Sequence, residues 1–194
     1  MTVTTSQLRQ TIRHKRSALC TDEIATISLV ISDKLCQLPQ LKRADNIAVY
    51  MAEFGEVDCS LFVQRMHARG KALFSPVLRK NHLLFAPLLP EAPMVLNRYG
   101  ILEPVYRIRD LKLPKELQAI VTPLVAFDLH LNRLGMGGGY YDRSFAFKKR
   151  RKYWRSPRLI GVAYSFQRVD QIVAQRWDVP LDTVITEKEC YGSR

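Results

Sequence analysis

The densest chemistry in the chain lies in Arg133-Leu134-Gly135-Met136-Gly137-Gly138-Gly139-Tyr140-Tyr141-Asp142-Arg143. A glycine-rich backbone takes positive φ and lets a ligand approach closely. Its N–H groups can cradle phosphate, the more so where a helix begins. A sharp turn would need only the glycines. It would not need Arg133 and Arg143 at the flanks, nor a carboxylate at Asp142, and that charge pattern points to a phosphorylated ligand. Ala119 to Asp128 reads as a buried strand entering a loop, so strand, glycine loop and helix follow in the order that nucleotide phosphates usually meet.

Other residues extend the pattern, each with a plain alternative. Asp142, at a helix start, can hold Mg²⁺ against phosphate oxygens or simply cap the helix. Asp178, in Trp177-Asp178-Val179-Pro180-Leu181-Asp182, is a metal carboxylate or a turn residue, and Asp182 a turn or cap. Glu53, Glu56 and Asp58 form an acidic loop after the strand 46–51, at the end of the sheet where ligands gather in open α/β folds. Those carboxylates can bond the amino and ring N–H groups of a heterocycle, or they are a solvated loop with a cap at Asp58. Arg9 reaches a phosphate chain or lies on a solvated helix face shared with Arg13 and Arg16. His14, His67, His82 and His130 have no Cys, Asp or Glu at ligand spacing, which speaks against zinc. Neither GxSxG nor GxxxxGK[ST] occurs, so neither a serine-hydrolase elbow nor an ordinary P-loop is present.

The elements that must carry these residues alternate. Residues 6–18 read as a basic helix, and a second runs from Thr21, as N-cap, to Pro39. Strands are expected at 46–51, 72–74 (closed by Pro76), 83–88, 119–126, 159–164 and 184–186. Helices are expected at 59–69, stopped by Gly70, and from about Tyr140 into the basic tract. Residues 90–118 read as an irregular connection. This alternation predicts one α/β domain over residues 1–194, a mainly parallel central sheet flanked by helices in a Rossmann-like three-layer arrangement.

Composition sets outer bounds. The chain has 194 residues, 47% hydrophobic and 25% charged, as expected of a globular core. No apolar run reaches the ~20 residues that span a bilayer. The N-terminus lacks a signal-peptide pattern, so a cytoplasmic protein without a membrane partner is expected. Cys20, Cys36, Cys59 and Cys190 are too scattered for a metal motif. The net charge of +12 calls for an anionic partner without identifying it. The run Lys148-Lys149-Arg150-Arg151-Lys152-Tyr153-Trp154-Arg155 could stack on and neutralise nucleic acid, or solvate a helix end. With no recognised binding module elsewhere, nucleic acid is not the expected partner.

Taken together, the chain resembles the 5-formyltetrahydrofolate cyclo-ligase (5,10-methenyltetrahydrofolate synthetase) family over nearly its full length. The likeness is most specific in Thr122-Pro123-Leu124-Val125-Ala126-Phe127-Asp128 and in Arg133 through Arg143. The Leu8-Arg9 helix with Arg16, the Gly55-Glu56-Val57-Asp58 loop and the Asp178-to-Asp182 turn support it. The resemblance implies a cytoplasmic ligase that uses Mg²⁺ and ATP to cyclise 5-formyltetrahydrofolate, with or without a polyglutamate tail, by phosphorylating the formyl oxygen. It implies Arg133 and Tyr140 as catalytic residues. Arg9, Arg133, Leu134, Gly135, Met136, Gly137, Gly138, Gly139, Tyr140 and Tyr141 would line the ATP site. Glu53, Asp58 and Met136 through Tyr140 would meet the folate, and Asp142 and Asp178 the metal. One tyrosine of the pair stacks on a ring or packs in the core.

One position departs from the family pattern: a lysine usually stands four residues before the arginine matched by Arg9, and here that residue is Thr5. Thr5→Lys is expected to tighten nucleotide binding measured by calorimetry. Unchanged or weaker affinity would count against a vacancy there.

Overall fold

Ile47 and Val49 pack on one side of their strand and Ala48 on the other. The same division separates Ala119 and Val121 from Ile120, Ile160 from Leu159, and Ile185 from Val184. Strands apolar on both faces belong in the middle of a layered sheet. In the computed structural model, which describes residues 4–150 and 156–192, they occupy the centre of one seven-stranded sheet. In chain order the elements are α1 (Thr5–Ser17), α2 (Thr21–Gln37), α3 (Pro39–Arg43), β1 (Asn46–Val49), α4 (Ser60–Ala68), β2 (Ala72–Arg79), β3 (His82–Pro87), β4 (Met94–Leu96), β5 (Leu102–Pro104), β6 (Ala119–Pro123), β7 (Ala126–Phe127), β8 (Arg133–Leu134), α5 (Tyr140–Phe145), β9 (Arg158–Val162), β10 (Thr183–Ile185) and β11 (Cys190–Gly192). The sheet order is β11-β10-β9-β6-β1-β2-β3. From β10 to β2 neighbours run parallel, with β11 and β3 antiparallel at the edges. No helix among the described residues is long and apolar enough to cross a membrane.

The expected mainly parallel α/β domain is therefore present. One face is covered by α2, α3 and α4 through Ile31, Leu35, Leu41, Phe62 and Met66. The other is covered by α5 and long connections through Phe145, Leu117, Leu124, Phe127 and Leu181.

Several boundaries differ from the sequence expectation. The second helix starts at Thr21, but its N-cap is Cys20, whose N–H donates to Glu23 Oε2 at 2.9 Å. Pro76 does not close its strand, and β2 continues to Arg79. Pro76 faces Phe85, whose own N–H and carbonyl bond Lys112 instead, so no ladder bond is asked of the proline. Residues 90–118 are not wholly irregular, because β4 and β5 form a hairpin. The strand expected at 119–126 divides after Pro123, and Ala126–Phe127 pairs with β8. The antiparallel edge β11 carried no anticipating signal.

Neighbouring β1 and β6 lead in opposite directions, to β2 on one side and to β9 and β10 on the other. The loops leaving their C-terminal ends therefore diverge and open a crevice, the usual ligand position in such sheets. Helix α1 lies across it, packing Ile12 against Val125, Ala126, Leu134 and Ile172.

Beneath the glycine segment, Asp128 is fully buried. It accepts bonds from the N–H groups of His130, Asn132 and Ile172 and from the Asn132 amide, each at 3.0 Å. Asp128→Ala strands those donors. We expect a loss of about 3 kcal/mol in unfolding free energy, measured by urea denaturation.

Candidate functional site

The glycine loop leaves β8 and turns through positive φ at Gly137 (106°) and Gly139 (63°) before α5. Arg9 of α1 lies on it: its Nε donates to the Gly135 carbonyl at 2.9 Å. A Cβ at Gly137 would stand 3.7 Å from the Arg9 guanidinium carbon. On the other flank Arg143 donates to the Gly138 carbonyl at 2.7 Å and to the Asn81 carbonyl at 2.8 Å. In a trans peptide the N–H opposes the C=O. The Met136 and Gly139 N–H groups thus turn away from the arginines that hold their peptides. Helix α5 has only six residues, so the cradle rests on loop amides and arginines more than on a long helix dipole.

Behind the loop, Arg133 is nearly buried, its side chain 4% exposed. Its guanidinium donates to Asp142 Oδ1 at 2.7 Å and to the Val179 carbonyl at 2.5 Å. The Val179 N–H also bonds Asp142 Oδ1, at 3.1 Å. Burial lowers the proton affinity of Arg133, opposed by Asp142, Tyr141 and Asp178. Asp142 and Asp178 thus share one guanidinium as a neighbour. Asp178 also closes a local turn, accepting from the Gln175 N–H at 2.7 Å. Among the described residues no group of three or more His, Cys, Asp or Glu could hold a metal by itself. Mg²⁺ commonly binds one or two carboxylates together with substrate phosphates. Both hydrogen bonds to Asp142 fall on Oδ1, leaving Oδ2 as the oxygen for such a role, and this donor set fits that mode.

The adjacent tyrosines separate. Tyr141 packs on Phe145, with ring centroids 5.7 Å apart, and on Arg133. Tyr140 stacks under Arg143, its guanidinium carbon 5.0 Å from the ring centroid. Tyr140 also meets Tyr99 and Arg98, two residues that sequence reasoning did not single out. The only signal available was a basic–aromatic pair before Gly100.

The acidic loop does not act as a unit. Phe54 and Gly55 both have positive φ, and the Glu56 N–H bonds the Glu53 carbonyl at 3.0 Å. This tight turn sends Glu56 inward to Arg16, 3.5 Å away. Asp58 Oδ1 accepts from the Ser60 N–H and hydroxyl at the start of α4, although the N-cap position itself falls on Cys59 and not on Asp58. Asp58 also lines a cavity of about 520 Å³ with Tyr50, Met51, His67, Leu88 and Glu91. The glycine loop does not line that cavity, and neither does Glu53. The carboxylate with the most altered environment is Glu56: burial lifts its pKa to about 7 against the opposing pull of Arg16.

Asp182 is structural, bonding Lys148, Arg158 and the Leu159 N–H. Lys149 bonds the Arg176 carbonyl. The described part of the basic run is thus partly engaged within the protein, and residues 151–155 lie outside the described residues.

The sequence profile of the 5-formyltetrahydrofolate cyclo-ligase family matches residues 1–187. A 5-formyltetrahydrofolate cyclo-ligase from Haemophilus influenzae is 35% identical, covering 92% of this chain and 95% of its own. One from Escherichia coli is 32% identical, covering 93% and 98%. The solved structure of Aquifex aeolicus 5,10-methenyltetrahydrofolate synthetase superposes with a TM-score of 0.81 at 34% identity, covering 97% of this chain and 92% of that one.

The raised pKa of Glu56 has a definite sign. The folded state holds the proton up to about 7, above the ordinary carboxyl value of 4.5, so the folded state binds more protons than the unfolded state between those values. Stability should fall as pH rises through that window. Glu56→Gln should remove this component, flattening the pH dependence of the unfolding free energy by roughly 3 kcal/mol across it. The slope is the test, since the variant also leaves Arg16 less well paired.

Proposed function

The chain belongs to the 5-formyltetrahydrofolate cyclo-ligase family, and from that membership we propose that this ligase closes 5-formyltetrahydrofolate to 5,10-methenyltetrahydrofolate, with ATP converted to ADP and phosphate. The observation that carries the reading is Arg9 laid on the glycine loop at the crevice between β1 and β6. This arrangement suits a polyphosphate beside a second ligand.

The chemistry explains why ATP is needed. A formyl oxygen on N5 is a poor leaving group. Attack of that oxygen on the γ-phosphorus breaks the bond to ADP and makes it a phosphate ester. N10 then attacks the formyl carbon, its proton is lost, the five-membered ring closes and phosphate departs. The protein's part is positioning and charge neutralisation. Loop amides and Arg9 bind the phosphates. Arg133 fixes Asp142, and Tyr140 shapes the folate side of the loop. Mg²⁺ would be held by Asp142 and Asp178, and it supplies charge neutralisation of the phosphate oxygens. The cavity along α4, of about 520 Å³, falls within the range of small-molecule sites and suits the heterocycle, with Asp58 at its wall. Glu53 belongs to the same loop and is proposed as a further folate contact. The positive net charge suits the carboxylates of a glutamate tail, single or extended. A cytoplasmic setting matches this substrate.

The direct test mixes protein, 5-formyltetrahydrofolate, ATP and Mg²⁺ and follows methenyl-product absorbance. Product should require both nucleotide and metal, and turnover without ATP would defeat the reading. Asp142→Asn should lower kcat/KM for Mg-ATP at least ~100-fold, with an unchanged circular dichroism spectrum. Near-normal turnover in that variant would remove the metal assignment.

A further inference from the structure

The β4–β5 hairpin is braced from within and tied to β2 by a nearly buried carboxylate. Glu103 is 9% exposed. It accepts from the Leu78 N–H on β2 at 3.3 Å and from the Asn97 amide at 2.7 Å. The Asn97 side-chain oxygen in turn accepts from the Tyr99 and Ile101 N–H groups. The Gly100 N–H closes the turn onto the Asn97 carbonyl at 3.0 Å, with φ of +76° at Gly100. Arg98 and Tyr99 are the two central residues of that turn, so a buried carboxylate, a side-chain amide and a left-handed glycine together fix where they sit.

They sit against Tyr140. The Tyr99 and Tyr140 hydroxyls are 2.8 Å apart. Arg98 Nη2 lies 3.4 Å from the Tyr140 oxygen, and Arg143 stacks on the Tyr140 ring from its own helix. The ring also crowds the loop, since a Cβ at Gly138 would be 2.8 Å from it. Tyr140 is thus held on one side by the hairpin and on the other by α5, with its ring against the glycine loop.

We propose that Tyr99 is a positioning residue of the active site, holding Tyr140 against the glycine loop so that the loop meets the folate in a fixed shape. This rests on the cyclo-ligase reading for the identity of the ligand, but the Tyr99–Tyr140 coupling does not.

Tyr99→Phe removes only the hydroxyl and keeps the turn. Two measurements follow on the full chain. The Kd for 5-formyltetrahydrofolate by calorimetry should rise about fivefold in Tyr99→Phe, with the thermal midpoint unchanged. In a Tyr140→Phe background, where the partner hydroxyl is gone, Tyr99→Phe should change the Kd no further. An unchanged Kd in Tyr99→Phe overturns the proposal, and so does a full fivefold rise in the Tyr140→Phe background, since Tyr99 would then act independently of Tyr140. Asn97→Ala, which loosens the turn while leaving both hydroxyls in place, should weaken binding in the same direction. Unaltered protein that binds the folate but does not turn it over counts against the reaction alone and leaves both Tyr99 measurements valid.

Discussion

Arg16 is the fixed point around which the crevice is built. Its side chain is 1% exposed, a costly place for a cation unless bonds replace water. One terminal nitrogen donates to the Leu124 carbonyl at 2.8 Å and the other reaches Glu56 at 3.5 Å. Leu124 begins the loop after β6, and Glu56 lies in the loop after β1. A single guanidinium thus binds the two divergent loops to each other and to α1. Gly55 must be glycine for this, since its φ is +71° and a Cβ would lie 3.3 Å from the Arg16 Cβ. Seven residues are close to two helical turns, so Arg9 emerges from the same face of α1 as Arg16. Fixing Arg16 therefore delivers Arg9 onto the glycine loop.

The excess positive charge is divided between anchoring and exposed uses. Arg16 and Arg133 are buried and paired with carboxylates, and each stiffens a segment. Arg9 and Arg143 spend bonds on loop carbonyls and keep further N–H donors at the surface. This division explains why Arg133, adjacent to the loop in sequence, is not the most available cation there. Its pairing with Asp142 supports the proposed metal carboxylate from behind, so Arg133 sets the position of that group as well as balancing its charge.

What could be read from the sequence was what is local. The short apolar runs at 46–51 and 119–126 identified buried strands, and the glycines with flanking charges identified the loop and the start of α5. What could not be read depended on distant partners. Glu53, Glu56 and Asp58 look alike in sequence. They differ because Arg16, forty residues from Glu56, draws that one acid inward, while Ser60 occupies Asp58. Arg98 and Tyr99 lay in a stretch read as irregular because strands of three residues show no measurable alternation. Pro76 looked like a strand end because only the partner, Phe85, reveals that no N–H donor is needed at that position.

The paired tyrosines bring these strands of argument together. Successive helical residues project about 100° apart, so Tyr140 and Tyr141 cannot share a role. Tyr141 turns to Phe145 and Arg133 and joins the core beneath the loop. Tyr140 turns to Tyr99 and Arg143 at the surface. A glycine-rich segment is free to take many shapes, which opposes tight binding because ordering it upon binding costs affinity. Here it is held at one end by the inward tyrosine, at the other by β8, and along its length by two arginines. The freedom of the glycines is thus used to reach one conformation, and the surrounding side chains keep it there before any ligand arrives.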